Sequence, residues 1–369
     1  MWKPEVTNIS GRKTSSIPSC DVGSLPCSTE LDEVLHEDSS IHKSSMEKFK
    51  QSIVDSFIDK LKAGISIPAF PQFRDMNQMF LSAFEGVEKV GGGFTQTDIH
   101  LALKPEFDLL PEVVAIKEHS GKIKEQTDQR FQLRICVTGP YTLASFFPHR
   151  NWQIYREIGH LLTRIVDRNT FSQKHGKVAL LSIDEPLFGF IDDPLIDRNT
   201  AGREELLKAW ETIAQKAEAK NVQSCIHLHS TSDNLFWEPE SINIIESHVD
   251  DPIYTMKATK ERLESEDKFL KASIAKSDFD VLIEDSLRFA ADLTVPEAWK
   301  GIIKGKIKAE RFLEKKEIMT KRLTKIINQY GVERVAMAGP ECGLRGFPTY
   351  GSALSCLRDV SDVTRSTSF

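Results

Sequence analysis

Short, almost wholly apolar segments that alternate with amphipathic ones most narrow what this chain can fold into. "ISIPAF", "RFQLRICVTGP", "KVALLSIDEP", "VQSCIHLH", "INIIES" and "RVAMAGPE" read as strands. Between them lie helix-like segments such as "MEKFKQSIVDSFIDKLKAG", closed by Gly64 as a C-cap, "GREELLKAWETIAQKAEAKN" and "FLEKKEIMTKRLTKIINQYG". Strands with so few polar positions are covered on both faces, which describes a parallel sheet with helices on its outside. About eight strand and helix pairs can be read, so the expected class is α/β, as a (β/α)8 TIM barrel rather than an open sheet. The mixture "MWKPEVTNISGRKTSSIPSC" shows no periodicity, and residues 1–20 are expected to form an irregular arm before a single barrel over 21–369.

The polar residues gather at the ends of the expected strands. In "CIHLHS", alternation puts Cys225, His227 and His229 on one face and Ile226 and Leu228 on the other. "SIDEP" ends a strand with Asp184 and Glu185, "INIIES" supplies Glu246, and "AGPECG" holds Cys342 in a turn framed by Pro and Gly. In a barrel those strand ends converge on one mouth, where catalysis is found. A mixed Cys, His and Glu set is one that zinc selects, with a position left for substrate when the site is catalytic. Plainer readings exist for each residue. Cys342 could be a buried structural thiol, Glu246 a solvated strand end, Asp184 and Glu185 caps of the following segment with Pro186 at its first position, and His248 a loop residue.

Composition excludes several classes. With 48 Lys+Arg against 54 Asp+Glu there is no basic excess to hold a nucleic-acid backbone. No run of about 18 apolar residues suggests a membrane span, and "MWKPEVTNIS" lacks a secretory core, so the expected location is cytoplasmic. Six scattered cysteines do not make a disulfide framework, leaving reduced thiols or a metal site.

Several segments, in the same order, resemble the catalytic barrel of the cobalamin-independent methionine synthase family. "VGSLPCSTELDEV" is similar to its opening Gly-Ser-hydrophobic-Pro loop, "VTGPYTLASFF" to its T-G-P segment and "LLSIDEPLF" to its D-E-P strand end. "CIHLHS" resembles its zinc strand, "INIIES" its glutamate strand and "GPECGLRGFPTYGSALSCLRDV" its closing Cys-Gly-Leu segment, so that the likeness runs over roughly residues 20 to 360. It implies zinc-dependent methyl transfer to a thiol, homocysteine first, giving methionine. His227, His229, Glu246 and Cys342 would be metal ligands, with His227 and Cys342 central to catalysis. Gly23 and Ser24 would hold the anionic end of the thiol substrate and Asp184 its amino group.

Three departures shape the expectation. His229 stands where the family has a cysteine, which makes the site one unit more positive; alternatively Cys225 completes the set or only three ligands remain. In "ISIPAFPQFRDMNQMF" the family's homocysteine-binding glutamate falls on Phe70 or Pro71, and losing that charge-assisted bond costs about 1.5 to 3 kcal/mol. Phe146 or a neighbour replaces a pterin-stacking tryptophan, and no proton-donating histidine is found near "GIIKGKIKAERF". A methyl-corrinoid, whose cobalt leaves without a proton, is therefore favoured over methyl-folate, with a corrinoid protein as partner. Other readings are transfer to coenzyme M, a metal-free uroporphyrinogen decarboxylase-like enzyme, and a non-catalytic partner of a corrinoid protein.

Overall fold

A computed structural model of the protein describes residues 16–27, 43–190, 192–288 and 293–367. The parallel strands are β1 (Phe131–Thr138), β2 (Gly176–Glu185), β3 (Gln223–Leu228), β4 (Ile244–Glu246), β5 (Phe269–Ala275) and β6 (Val335–Pro340). They alternate with helices, among them α1 (Lys43–Lys62), α2 (Pro140–Ala144), α3 (Gln153–Asn169), α4 (Ala201–Glu218), α5 (Lys316–Tyr330) and α6 (Tyr350–Ser366). The chain forms two compact units. One holds the described residues up to Phe73, with His248–Asp250 and those from Phe269 onward; the other holds Arg74–Ser247 and Asp251–Lys268.

The second unit contains β1 to β4, each pairing in parallel with the next in chain order. Both faces of these strands are buried, as their apolar runs required. Helix α3 buries Ile154, Ile158, Leu162 and Ile165, and α4 buries Leu206, Ala209, Trp210 and Ile213. That three-and-four spacing presents one apolar stripe per helix while the charges stay on the other side.

The unit with the chain ends contains the parallel pair β5 and β6. Ser19 bridges Ala338 and Cys20 bridges Ile67, both in parallel sense, so these segments extend the same order as single contacts. The described residues thus hold six parallel strands of the α/β class, short of the eight expected for a complete barrel. Pro18, Pro68 and Pro71 explain the shortfall, because a proline has no N–H to donate to a ladder. Strand β5 escaped the sequence reading because Lys271 interrupts its apolar run. The lysine is fully buried, and its Nζ donates to Ser273 Oγ at 3.2 Å and to the Pro340 carbonyl. Helix α1 ends as expected, with Gly64 at a φ of +94°. Most of the expected arm, residues 1–15, lies outside the described residues, as do residues 28–34 of the "VGSLPCSTELDEV" segment. No helix among the described residues is long and apolar enough to cross a membrane.

One buried carboxylate ties the second unit together. Asp184 and Glu185 are adjacent, so the pleat sends them to opposite faces of β2. Glu185 accepts from the Tyr141 and Thr142 N–H groups at the start of α2, at 2.9 and 2.7 Å, and from the Trp210 indole of α4 at 2.7 Å. It caps the helix after β1 rather than the segment that follows it in sequence. A Cβ at Gly139 would lie 2.2 Å from this carboxyl, which is why T-G-P and D-E-P occur together. Burial pushes Glu185 from its ordinary 4.5 to about 7, while the three donors act in the opposite sense. A carboxyl raised in the folded state contributes stability that is complete below its unfolded pKa and is lost as pH rises through the folded one. Relative to Glu185→Gln, which does not titrate, the wild type should therefore lose on the order of 3 kcal/mol between about pH 4 and pH 8. Urea unfolding of both proteins across that range measures it, and parallel curves would contradict it.

Candidate functional site

The register of β1 to β4 builds half of the candidate site. Thr138 pairs with Asp184, Asp184 with His227, and His227 with Glu246, so four polar residues form one row across four strands. Two residues earlier, Cys136, Ser182 and Cys225 form the next row. Parallel in-register pairing puts both rows on the same face. Arg134, one further step back on β1, is fully buried and reaches forward along this face. Its Nη2 donates to Ser182 Oγ at 2.8 Å and lies 2.9 Å from Glu246 Oε2. Ser182 Oγ donates in turn to Asp184 Oδ1 at 2.5 Å. Glu246 Oε1 is 3.2 Å from His227 Nδ1, and Cys225 Sγ is 3.5 Å from Glu246 Oε2. Burial pushes the Asp184 carboxyl up; His227, Arg134 and Ser182 act against that, and Glu246 adds to it. His229 follows the end of β3, its ring edge-on to His227 with centroids 5.3 Å apart, and the ligating atoms of the two lie within 4.8 Å.

The other unit carries the remaining sequence-predicted residues. Gly23 has a φ of +126°, a conformation that side chains rarely adopt. Its carbonyl accepts from Lys60 Nζ at 2.8 Å and from the Gln72 N–H at 3.2 Å. Lys60 is fully buried and also donates to Asp21 Oδ2 at 2.7 Å and to the Ala69 carbonyl at 3.1 Å. Asp21 Oδ1 accepts from the Ala69 N–H at 2.8 Å, so one ion pair fastens the Gly23 loop to the 69–72 segment. Of that segment it is Gln72 whose side chain packs on Gly23; a Cβ there would be 3.1 Å from Gln72 Oε1. The Ser24 carbonyl accepts from the Leu344 N–H at 2.9 Å. Cys342 is half-buried beside Glu341, whose carboxylate accepts from the Val249 N–H at 2.8 Å and the Ser277 N–H at 2.9 Å. Glu341 thereby fixes the 248–250 segment, and the ligating atoms of His248 and Cys342 lie within 4.8 Å.

Sequence reasoning passed over His248, Arg134 and Lys60. Each left a signal: His248 stands two residues beyond Glu246, Arg134 is the only charge in "FQLRICVT", and Lys60 falls on the apolar face of α1 between Phe57 and Leu61. His227 and His229 in one unit, and His248 and Cys342 in the other, offer three imidazoles and a thiol, donor types that fit zinc. Glu246, which the sequence analysis placed among the ligands, lies in the same unit as His227, its Oε1 3.2 Å from His227 Nδ1.

No protein-family model and no curated protein matches the chain. Solved structures do. The chain is similar to a B12-independent methionine synthase from Shewanella sp. W3-18-1 in complex with selenomethionine, with a TM-score of 0.62 and 14% identity over 95% of this chain and 98% of that one. A candidate vitamin-B12-independent methionine synthase from Listeria monocytogenes gives a TM-score of 0.61 at 12% identity, over 96% and 98% of the two chains. At these identities the likeness is one of fold: the chain has the α/β fold of B12-independent methionine synthases.

The turn after β6 offers a direct test of the loop packing. A Cβ at Gly343 would lie 1.9 Å from Ser24 Oγ, so Gly343→Ala should destabilise the protein by about 2 kcal/mol. Adding Ser24→Gly should recover most of that loss in thermal unfolding; additive losses would show that the two residues do not share the space.

Proposed function

We propose that the protein is a zinc-dependent methyltransferase acting on a thiol, homocysteine foremost, with methionine as product. In this reading His227, His229, His248 and Cys342 hold the metal. The observation that carries the reading is the supply of zinc-type donors, His227 and His229 in one unit and His248 and Cys342 in the other. The fold of the B12-independent methionine synthases, and motifs in that family's order, support it.

Bound zinc would lower the pKa of a substrate thiol, about 8.5 when free, so that the nucleophilic thiolate is present at neutral pH. The remaining work falls to this chain's side chains and backbone. Asp184, held by Ser182 against Arg134, presents a buried carboxylate to the amino group of the substrate. An ammonium there offsets the burial that otherwise pushes Asp184 toward its neutral form. The loop at Gly23 and Ser24, stiffened by Lys60, holds the substrate carboxylate through backbone N–H groups. With both ends fixed, the sulfur is aimed at the methyl carbon; the new carbon–sulfur bond forms as the bond from methyl to its donor breaks. Phe70 or Pro71 stands where the resemblance puts the family's second acid, so the amino group rests chiefly on Asp184. A methyl-corrinoid on a partner protein is the donor that fits best, because it leaves without needing a proton.

Elemental analysis of the purified protein should find one zinc per chain, lost in His227→Ala and in Cys342→Ala. Homocysteine with methylcobalamin should yield methionine, and methyl-folate should yield less. Asp184→Asn should raise KM for homocysteine roughly 10-fold or more, from the 1.5–3 kcal/mol of a charged hydrogen bond, and change kcat less. A metal-free, folded protein whose Cys342→Ala variant behaves like the wild type would sink the proposal.

A further inference from the structure

The connection from the end of β5 to the start of α5, residues 276–315, carries a surface charge opposite in sign to that of the chain. The whole chain has 48 Lys+Arg against 54 Asp+Glu, yet residues 300–315 hold six Lys and Arg and only two acids. Lys300, Lys304, Lys306, Lys308 and Arg311 are all exposed. Of the two acids, Glu314 is half-buried and engaged elsewhere, its Oε1 2.7 Å from Arg322 Nη2 and its Oε2 accepting from the Lys276 N–H at 2.8 Å. The outer face is therefore left with Glu310 alone against five cations. It is also an ordered face. The helix Val295–Ile303 ends in a closed turn, where the Lys306 N–H donates to the Gly301 carbonyl at 2.8 Å and the Gly305 N–H to the Ile302 carbonyl at 2.9 Å, with Gly305 at a φ of +67°. Ile303, 81% exposed, stands directly before that turn.

The same unit ties this stretch to the turn that carries Cys342. The ring of Phe279 lies 5.4 Å from Trp299, 6.4 Å from Phe312 and 5.1 Å from Phe347, centroid to centroid, so one aromatic cluster joins both ends of the basic stretch to the segment after β6. Ala275 and Pro340 pair at the ends of β5 and β6, which sets both connections at one end of the strand pair. We propose that the surface formed by Ile303 and the cations from Lys300 to Arg311 docks an acidic face of a partner protein, the one that carries the methyl donor. This rests on the methyltransferase reading and adds to it where the donor's carrier is held. An apolar centre within a charged rim is the makeup of a protein interface, and the rim sets the rate of encounter. A nucleic-acid backbone would meet the cations but gain nothing from an isoleucine among them.

The probe is a synthetic peptide of glutamates around a central leucine, with a DNA duplex beside it. Lys304→Glu/Lys306→Glu should bind the peptide about 10-fold or more weakly than the wild type, in a salt-dependent way. Lys321→Glu/Lys325→Glu, the same change of charge on α5, should bind it like the wild type. Ile303→Ser should weaken the leucine peptide and leave an all-glutamate peptide unaffected. Methylcobalamin coupled to the leucine peptide should give a kcat/KM about 10-fold above that of free methylcobalamin in the wild type, a gain lost in Lys304→Glu/Lys306→Glu, which should use the free donor normally. The inference is overturned if the two double variants bind the peptide alike, if the DNA duplex binds more tightly than the peptide, if Ile303→Ser changes nothing, or if coupling brings no gain. Those results leave the methyltransferase reading standing. A wild-type chain that makes no methionine from either donor overturns that reading, and peptide binding then decides the surface by itself.

Discussion

The in-register parallel pairing of β1 to β4 is the constraint on which the chemistry depends. Thr138, Asp184, His227 and Glu246 come from segments spread over more than a hundred residues, yet register alone sets them in one row. A slip of one residue in any strand would turn its member to the opposite face, where apolar residues pack against helices. The Glu185 carboxylate guards against such a slip on β2, because its three donors come from α2 and α4 and are met in one register only. The residue next to the candidate substrate carboxylate is thus the anchor that holds the strand in position.

Charge is buried here beside opposite charge. Arg134 lies among Ser182, Asp184 and Glu246, and Lys60 among Asp21 and two carbonyls, each with little or no exposure. Taking such groups out of water is costly unless the partners are complete, so these sets fix geometry more than they add stability. Lys60 shapes the loop at Gly23, and Arg134 shapes the row of β1 to β4. The Gly23 loop and Asp184 therefore each lean on a buried cation.

The fold class was legible because period and burial agree. Both faces of β1 to β4 are buried and α3 and α4 keep one stripe each, which is what apolar runs and three-and-four spacing describe. Where a single residue carried the structure, the pattern was silent: Lys271 hid β5, and the prolines at 68 and 71 flank the expected strand "ISIPAF", of which only a single bridge at Ile67 forms. His227, Asp184 and Cys342 stood out as reactive types at strand ends. The environment of Glu246 could not be read, since it depends on Arg134, more than a hundred positions away and three strands across the sheet. His248 was likewise hidden, because what turns a loop histidine into a neighbour of Cys342 is the grip of Glu341 on Val249.

The composition of the unit that holds Gly23, Ser24 and Cys342 carries a consequence in time. Its contacts join the two ends of the chain: Ser19 meets Ala338, and Arg365 donates to the Gly64 carbonyl across 301 residues. As the chain emerges from the ribosome, everything needed for β1 to β4 is present once Lys268 has appeared, and that sheet can form while the rest is still being made. The segment around Ser19 must wait for β6. Until β6 is made, Pro18 and Cys20 lack the Ala338 backbone groups they hydrogen-bond, so this early-made segment is the part of the unit that stays open longest.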